Sequence, residues 1–354
     1  MNDVNPAPIE IGGARIGCGR PVYVIAEAGV NHNGDLETAI AMVDAAAAAG
    51  ADAVKFQAFR AAALVSDGAA CAAYQRERGQ GESQREMLRR LELSRTAFAE
   101  IARYCRDAGI EFLATPFGAE DLQMLRELGI RAIKIASPDI TNVPLLQVAA
   151  RTRLPLIVST GAADEADIDA AVSLLDEEAA RNQFILLHCV SCYPAEPANV
   201  NLRRMQMLAT RYGRPAGFSD HTSAIQTGAL AVAAGAVVLE KHFTLSRRQE
   251  GPDHVFSLEP DGLCRYVAAV RHAEVLMGVG GLAPADRERE VRDLARTSVV
   301  ASAFIAEGER VERTKLTVKR PGTGIPPREL PAVAGRIAAR DIPADTLIQW
   351  EMLR

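Results

Sequence analysis

The sequence contains no uninterrupted apolar run approaching the roughly 18 residues of a membrane span, so no transmembrane helix is expected. Its amino terminus, MNDVNPAPIE, has neither a basic stretch nor an apolar one. No secretory signal is therefore expected, and the expected location is the cytoplasm. The six cysteines (Cys18, Cys71, Cys105, Cys189, Cys192 and Cys264) fall mostly within apolar or helical pattern and lack the spacing of a disulfide framework, which fits a reducing compartment. A net charge of −5 gives no general attraction for nucleic acid.

Lysine is the scarcest charged residue. Of 40 basic residues only Lys55, Lys134, Lys241, Lys315 and Lys319 are lysine, and the rest are arginine. A compact ammonium does chemistry that a broad guanidinium fork copies poorly, so these few positions stand out. Three of them fall in apolar, strand-like sequence.

With 354 residues there is room for two or three average domains, although one α/β barrel can occupy about 250 residues. Between residues 22 and 243, eight short apolar runs alternate with Ala/Leu-rich amphipathic segments: VYVIAEAG, AVKFQAF, EFLATPF, AIKIAS, LPLIVSTG, FILLHCVS, PAGFSDH and VVLEKHF. Helical pattern lies between them, at 36–49, 95–108, 119–128, 164–180 and 223–234. Such alternation predicts right-handed βαβ units, and eight of them predict a closed (β/α)8 TIM barrel over residues 22–278. An open, doubly wound sheet is the competitor, but no G-x-G-x-x-G follows the first strand. Residues 1–21 include IEIGGARIGCG, read as a hairpin turning at Gly12 and Gly13 that caps the barrel bottom. The second βα connection, 60–93, is long and polar with a short helix expected at 82–91. Residues 279–293 read as a Gly-rich, then charged linker, and 294–354 as a small domain of short β-like runs.

In a parallel barrel the C-terminal strand ends share one face, where catalytic groups collect. Here those ends carry, in order, Glu27; Lys55 and Gln57; Thr115; Lys134 and Ser137; Ser159 and Thr160; His188, Ser191 and Tyr193; Ser219, Asp220 and His221; and Glu240 and His242. Lysines pointing into a barrel must be paired or must meet an anion, because an isolated buried ammonium is costly. With Thr115, Ser137 and Ser159 as neutral donors, the set suits a phosphate plus a carboxylate; an internal salt bridge to Glu27 is the alternative. His221 and His242 close adjacent strands and could hold a divalent cation, Mn or Mg, or could simply hydrogen-bond to each other. The Cys189–Cys192 spacing lies across a strand end and has no second pair, so it reads as neither a zinc site nor a redox motif.

These stretches together resemble the sialic acid synthase family, which makes N-acetylneuraminate, legionaminate and pseudaminate. The resemblance is carried by AEAGVNHNG (26–34), VKFQ (54–57), ESQREMLRRLELS (82–94), ATPF (114–117), IKIAS (133–137), VSTG (158–161), GFSDHT (217–222), EKHFT (240–244), EGPDH (250–254) and LTVKRPGTGI (316–325). It implies a TIM barrel followed by a small β-rich antifreeze-like (SAF) domain, and a phosphoenolpyruvate (PEP)-dependent transferase. That enzyme would condense PEP with an N-acylated mannosamine-type or diacetamido-trideoxy sugar to give a nine-carbon 2-keto-3-deoxy acid and phosphate. In that reading Lys55, Thr115, Lys134, Ser137, Ser159 and Ser219 hold PEP, and His221 and His242 bind the metal. Glu27 manages the water, Gln57, Tyr193 and Asp253 orient the sugar, and Ser191 occupies a position where some members have asparagine. Arg320 would reach the sugar from the other subunit of a domain-swapped homodimer. The chain departs from the family's Gly-Ser-Gly-Glu after Ile135, reading Ala136-Ser137-Pro138-Asp139. Two rivals are a related synthase acting on aldose phosphates, whose members lack the antifreeze-like domain, and a non-catalytic carbohydrate-binding protein.

Overall fold

The computed structural model describes residues 7–66, 83–178 and 184–354. Cys71, Glu82 and the end of the helix expected at 164–180 lie outside them. The chain divides into two compact units, residues 1–279 and 280–354.

The larger unit begins with strands β1 (Ile9–Ile11) and β2 (Ala14–Ile16), an antiparallel hairpin. Gly12 and Gly13 turn it at φ +59° and +88°, a region that a Cβ disfavours. Eight parallel strands follow: β3 (Tyr23–Gly29), β4 (Ala53–Ala58), β5 (Glu111–Pro116), β6 (Ile133–Ile135), β7 (Leu156–Ser159), β8 (Phe184–Cys189), β9 (Ala216–Asp220) and β10 (Val238–His242). Their spatial order is β5-β4-β3-β10-β9-β8-β7-β6, and β5 and β6 lie side by side where the barrel closes. The expected (β/α)8 architecture is the one observed.

Helices start where the sequence offers caps. Asp35 accepts the Thr38 N–H ahead of Leu36–Ala48, Ser94 the Ala97 N–H ahead of Arg95–Ala108, and Asn142 the Leu145 N–H ahead of Val143–Arg151. In the second βα connection, Ser83 and Glu86 form a capping box for the helix Gln84–Arg90.

Strand alternation sorts the side chains into two cores. Val24, Ala26, Val54, Phe56, Phe112, Ile133, Leu156 and Leu186 face outward to the helices. Ile25, Ala53, Leu113, Ala132, Ile157, Ile185 and Val238 face inward, where Ile9, Ile11 and Ile16 of the hairpin pack against them and fill the N-terminal end. One inward step further along, every strand but β8, which keeps Leu187 there, carries a polar residue: Glu27, Lys55, Thr115, Lys134, Ser159, Ser219 and Glu240, all buried. That change from apolar to polar within one barrel layer locates the site.

The smaller unit contains β11 (Ser298–Ala301) paired antiparallel with β12 (Leu316–Lys319). It has its own core, including Val299, Ile305, Val311, Val333, Ile342 and Ile348. Within the stretch read as linker, Asp286–Ala295 is helical and buries none of its side chains. Its acidic first turn and Arg292 in its last turn complement the helix dipole, a local signal that the charged composition concealed.

Candidate active site

A cavity of about 410 Å³ opens at the C-terminal end of the barrel, and its lining includes every residue of the larger unit to which the family resemblance gives a role. Glu27, Lys55, Gln57, Thr115, Lys134, Ser137, Ser159, Ser191, Tyr193, Ser219, His221, His242 and Asp253 all contribute. Arg320 belongs to the smaller unit, where it is exposed at the end of β12.

The floor is a charge cluster. Lys55 Nζ lies 2.5 Å from Glu27 Oε2 and 3.5 Å from Glu240 Oε2, and it donates to Thr115 Oγ1 at 3.1 Å. Lys134 differs from Lys55. Its ammonium donates to Ser159 Oγ at 2.6 Å and to the Ile135 carbonyl at 2.8 Å, and among the described residues it has no ion-pair partner. Burial lowers the Lys134 pKa, while the carboxylate of Glu240 opposes the shift. Lys55 is raised instead: burial acts against its charge, but Glu240 and Glu27 outweigh burial. Glu240 is held near 2, because Lys134 and Lys55 and the Ser219 hydroxyl at 2.8 Å overcome its burial. Burial pushes Glu27 up to about 7 even beside Lys55.

Next to Lys134 the backbone and short side chains form a cradle. Ser137 Oγ accepts the Gly161 N–H at 3.0 Å and touches Cys189 Sγ at 3.0 Å. A Cβ on Gly161 would collide with Ser191 Oγ, with Cys189 Sγ at 2.6 Å and with Ser137 Oγ at 2.8 Å, so this position requires glycine. Pro138 and Asp139, part of the departure after Ile135, line the same cavity.

The histidines form the other side. His221 Nδ1 lies 2.7 Å from the Val190 carbonyl, so that nitrogen carries the proton and donates it. The Nε2 lone pair then faces Ser219 Oγ at 3.2 Å, but the serine proton is directed at Glu240. His242 Nδ1 is buried without a hydrogen-bond partner among the described residues, 4.0 Å from Asp253 Oδ2. The rings are 5.6 Å apart, and Tyr193 lies against both, 4.2 Å from His221 and 5.8 Å from His242. Burial lowers both imidazoles below their ordinary range, to about 4 for His221, so both are neutral at pH 7. Two neutral imidazoles with unsatisfied ring nitrogens fit a divalent cation. Among the described residues no group of three or more His, Cys, Asp or Glu is arranged as a closed cage, so such a cation would keep positions for water or substrate.

Sequence reasoning gave Glu240 no role, although its two-residue spacing from His242 places both inside the barrel. It also discounted Cys189, which lines the cavity beside Ser137. His188 and Thr160 point away from the site: His188 bonds the Val200 carbonyl at 2.6 Å and stacks on Phe218, and Thr160 donates to the Leu187 carbonyl.

A parallel barrel whose C-terminal rim gathers paired lysines and carboxylates, a glycine-floored cradle and two neutral histidines defines an enzyme site. Comparison with known proteins makes this specific. The NeuB family model matches residues 42–281 and the SAF domain model residues 296–354. An N,N'-diacetyllegionaminic acid synthase of Legionella pneumophila is 40% identical over 93% of this chain and 94% of that protein. The N-acetylneuraminate-9-phosphate synthase of Homo sapiens is 32% identical over 96% and 95%. A crystal structure of the N-acetylneuraminic acid (sialic acid) synthetase of Leptospira borgpetersenii, in complex with citrate, matches with a TM-score of 0.72 at 37% identity, covering 81% of this chain and 95% of that one. The chain belongs to the NeuB family, and it is a synthase of the transferase class.

Proposed function

We propose that the protein condenses PEP with the open-chain aldehyde of an N-acylated amino hexose, releasing phosphate and a nine-carbon 2-keto-3-deoxy acid. The observation that carries this reading is Lys134: a buried ammonium without an ion-pair partner among the described residues, beside a cradle of hydroxyls and a backbone N–H, suits an anion. PEP supplies both a phosphate and a carboxylate for Lys134, Lys55, Thr115, Ser137, Ser159, Ser191 and Ser219. Relatives named for legionaminic acid and for N-acetylneuraminate 9-phosphate support the product class.

In the reaction, C3 of PEP attacks the aldehyde carbon and the aldehyde oxygen takes up a proton. C2 becomes electron-deficient, water adds to it and loses a proton, and the bond from C2 to the phosphate oxygen then breaks as the new hydroxyl gives its proton to the departing phosphate and becomes the ketone. In this reading Glu27 takes the water proton, supported by a carboxyl raised to about 7 and by the contact with Lys55. Gln57, whose amide lies 3.5 Å from Glu27, orients sugar hydroxyls together with Tyr193 and Asp253. His221 and His242 would hold a divalent cation, Mn or Mg, which when bound supplies an electrophile for the aldehyde oxygen. Arg320 would complete the sugar site in a domain-swapped homodimer, in keeping with its exposed position in a separately folded unit.

The test is a substrate panel: PEP with N-acetylmannosamine, a diacetamido-trideoxy hexose and phosphorylated aldoses, with products identified by mass. A nine-carbon acid with equimolar phosphate is expected. A seven- or eight-carbon keto-acid phosphate would favour the aldose-phosphate rival, and PEP left intact with every sugar would sink the assignment.

A further inference from the structure

The cavity has two unlike halves. Its floor is the charge cluster of Lys55 and Lys134. Above it stands a wall of Leu64, Val65, Met87 and Leu88, backed by Phe59 and Phe117. The chain order sets that height: Phe59 directly follows β4 and Phe117 directly follows β5, whereas Lys55 and Thr115 lie lower on the same strands. The wall is a packed unit in its own right. Val30, Phe59, Met87 and Leu91 form a buried cluster distinct from the barrel core, and Phe59 meets Phe117 edge to face at 6.1 Å. The helix Gln84–Arg90 turns Met87 and Leu88 to the cavity, while its three arginines do not line it.

We infer that this wall determines which sugar is accepted: it admits an unphosphorylated sugar whose far carbons carry methyl or acyl groups, and it rejects a sugar phosphate. The inference rests on the proposed reaction. There, the aldehyde carbon must meet C3 of PEP on the floor, so an open-chain hexose extends its opposite end past the strand ends, toward the wall. Among the described residues lining the cavity, the cations are Lys55 and Lys134, both on the floor and both engaged by PEP. A phosphate dianion against Leu64, Met87 and Leu88 would lose its water and find no counter-ion among the described residues that line the cavity. A methyl or acetyl group in the same place removes apolar surface from water on both sides.

Leu88 is the position to test, because it is only half-buried and tolerates a longer side chain. The full-length protein and its Leu88→Arg and Leu88→Gln variants would be compared by kcat/KM on a diacetamido-trideoxy hexose, N-acetylmannosamine and N-acetylmannosamine 6-phosphate. The unaltered protein should prefer the diacetamido-trideoxy hexose over the sugar phosphate by at least about 100-fold. Leu88→Arg should narrow that ratio by at least about 10-fold, with the KM for PEP within about 2-fold, and Leu88→Gln should not narrow it. Should Leu88→Arg fail to fold, Leu64→Arg reads the same ratio. An enzyme that turns over the sugar phosphate as well as the free sugars overturns the inference, as does a ratio that neither arginine changes. If PEP binds yet no sugar of either kind is converted, the reaction itself is misassigned and the role of the wall falls with it.

Discussion

Lys241 and Asp220 form a buried ion pair, Nζ to Oδ2 at 3.2 Å, on the outer side of the two strands whose inner sides present Glu240, His242, Ser219 and His221. Lys241 also donates to the Thr222 carbonyl and lies 5.5 Å from the Tyr266 ring centroid. Removing the ammonium strands a carboxylate in the core. Lys241→Met should therefore lose about 3–5 kcal/mol of unfolding free energy in urea. Combining it with Asp220→Asn should cost less than the sum of the two single changes. A single-variant loss below about 1 kcal/mol would show that the pair is solvated or dispensable.

Lys134→Met should weaken PEP binding, measured by calorimetry, by at least about 30-fold, since it removes a buried charge that PEP would meet. The KM for the sugar should change far less. Equal losses for both ligands would remove Lys134 from the PEP site.

Glu27 keeps its proton to about pH 7 when folded, because burial disfavours the carboxylate. A carboxyl raised in this way binds more protons in the native than in the unfolded chain. Its contribution to stability is thus complete below the ordinary carboxylate range and is lost as pH rises through about 7. The difference in unfolding free energy between the unaltered protein and Glu27→Gln should decline from pH 5 to pH 8. A flat difference would place the native pKa near its ordinary value.

Chelation should abolish turnover, and Mn should restore it. In His242→Ala, Mn binding followed by electron paramagnetic resonance should weaken by at least about 10-fold, which separates the loss of a ligand from a general loss of activity. Full turnover after chelation would end the case for a metal.

Complementation tests Arg320. An Arg320→Ala chain mixed with a Glu27→Gln chain, each inactive alone, should regain activity once subunits exchange, because one mouth then receives both intact residues. Verified exchange without recovery would rule out action in trans.

The strand ends were legible because period-two alternation fixes which side chain enters the barrel, and polar residues at such positions have few structural excuses. That rule, applied one residue at a time, also separates Glu240 and His242 from Lys241, and Cys189 from His188. The apolar wall was harder to see. ESQREMLRRLELS predicts a short helix in a polar connection, but only folding the helix Gln84–Arg90 onto Phe59 and Phe117 reveals Met87 and Leu88 as a surface. In the smaller unit, isolated bridges join Ile305 to Ile342 and Val300 to Leu347, pairings between distant runs that local sequence pattern does not reveal.

The first and last barrel strands are joined by a ladder that pairs Tyr23, Val24, Ile25, Ala26 and Glu27 with Val238, Leu239, Glu240, Lys241 and His242. The first barrel strand to leave the ribosome therefore waits for the last before one of its edges is satisfied, and contacts so distant in sequence form late and slowly. That final ladder is also the one that sets Glu27 beside His242 in register. A polypeptide that ends before β10 lacks this ladder, and with it Glu240 and His242 of the candidate site.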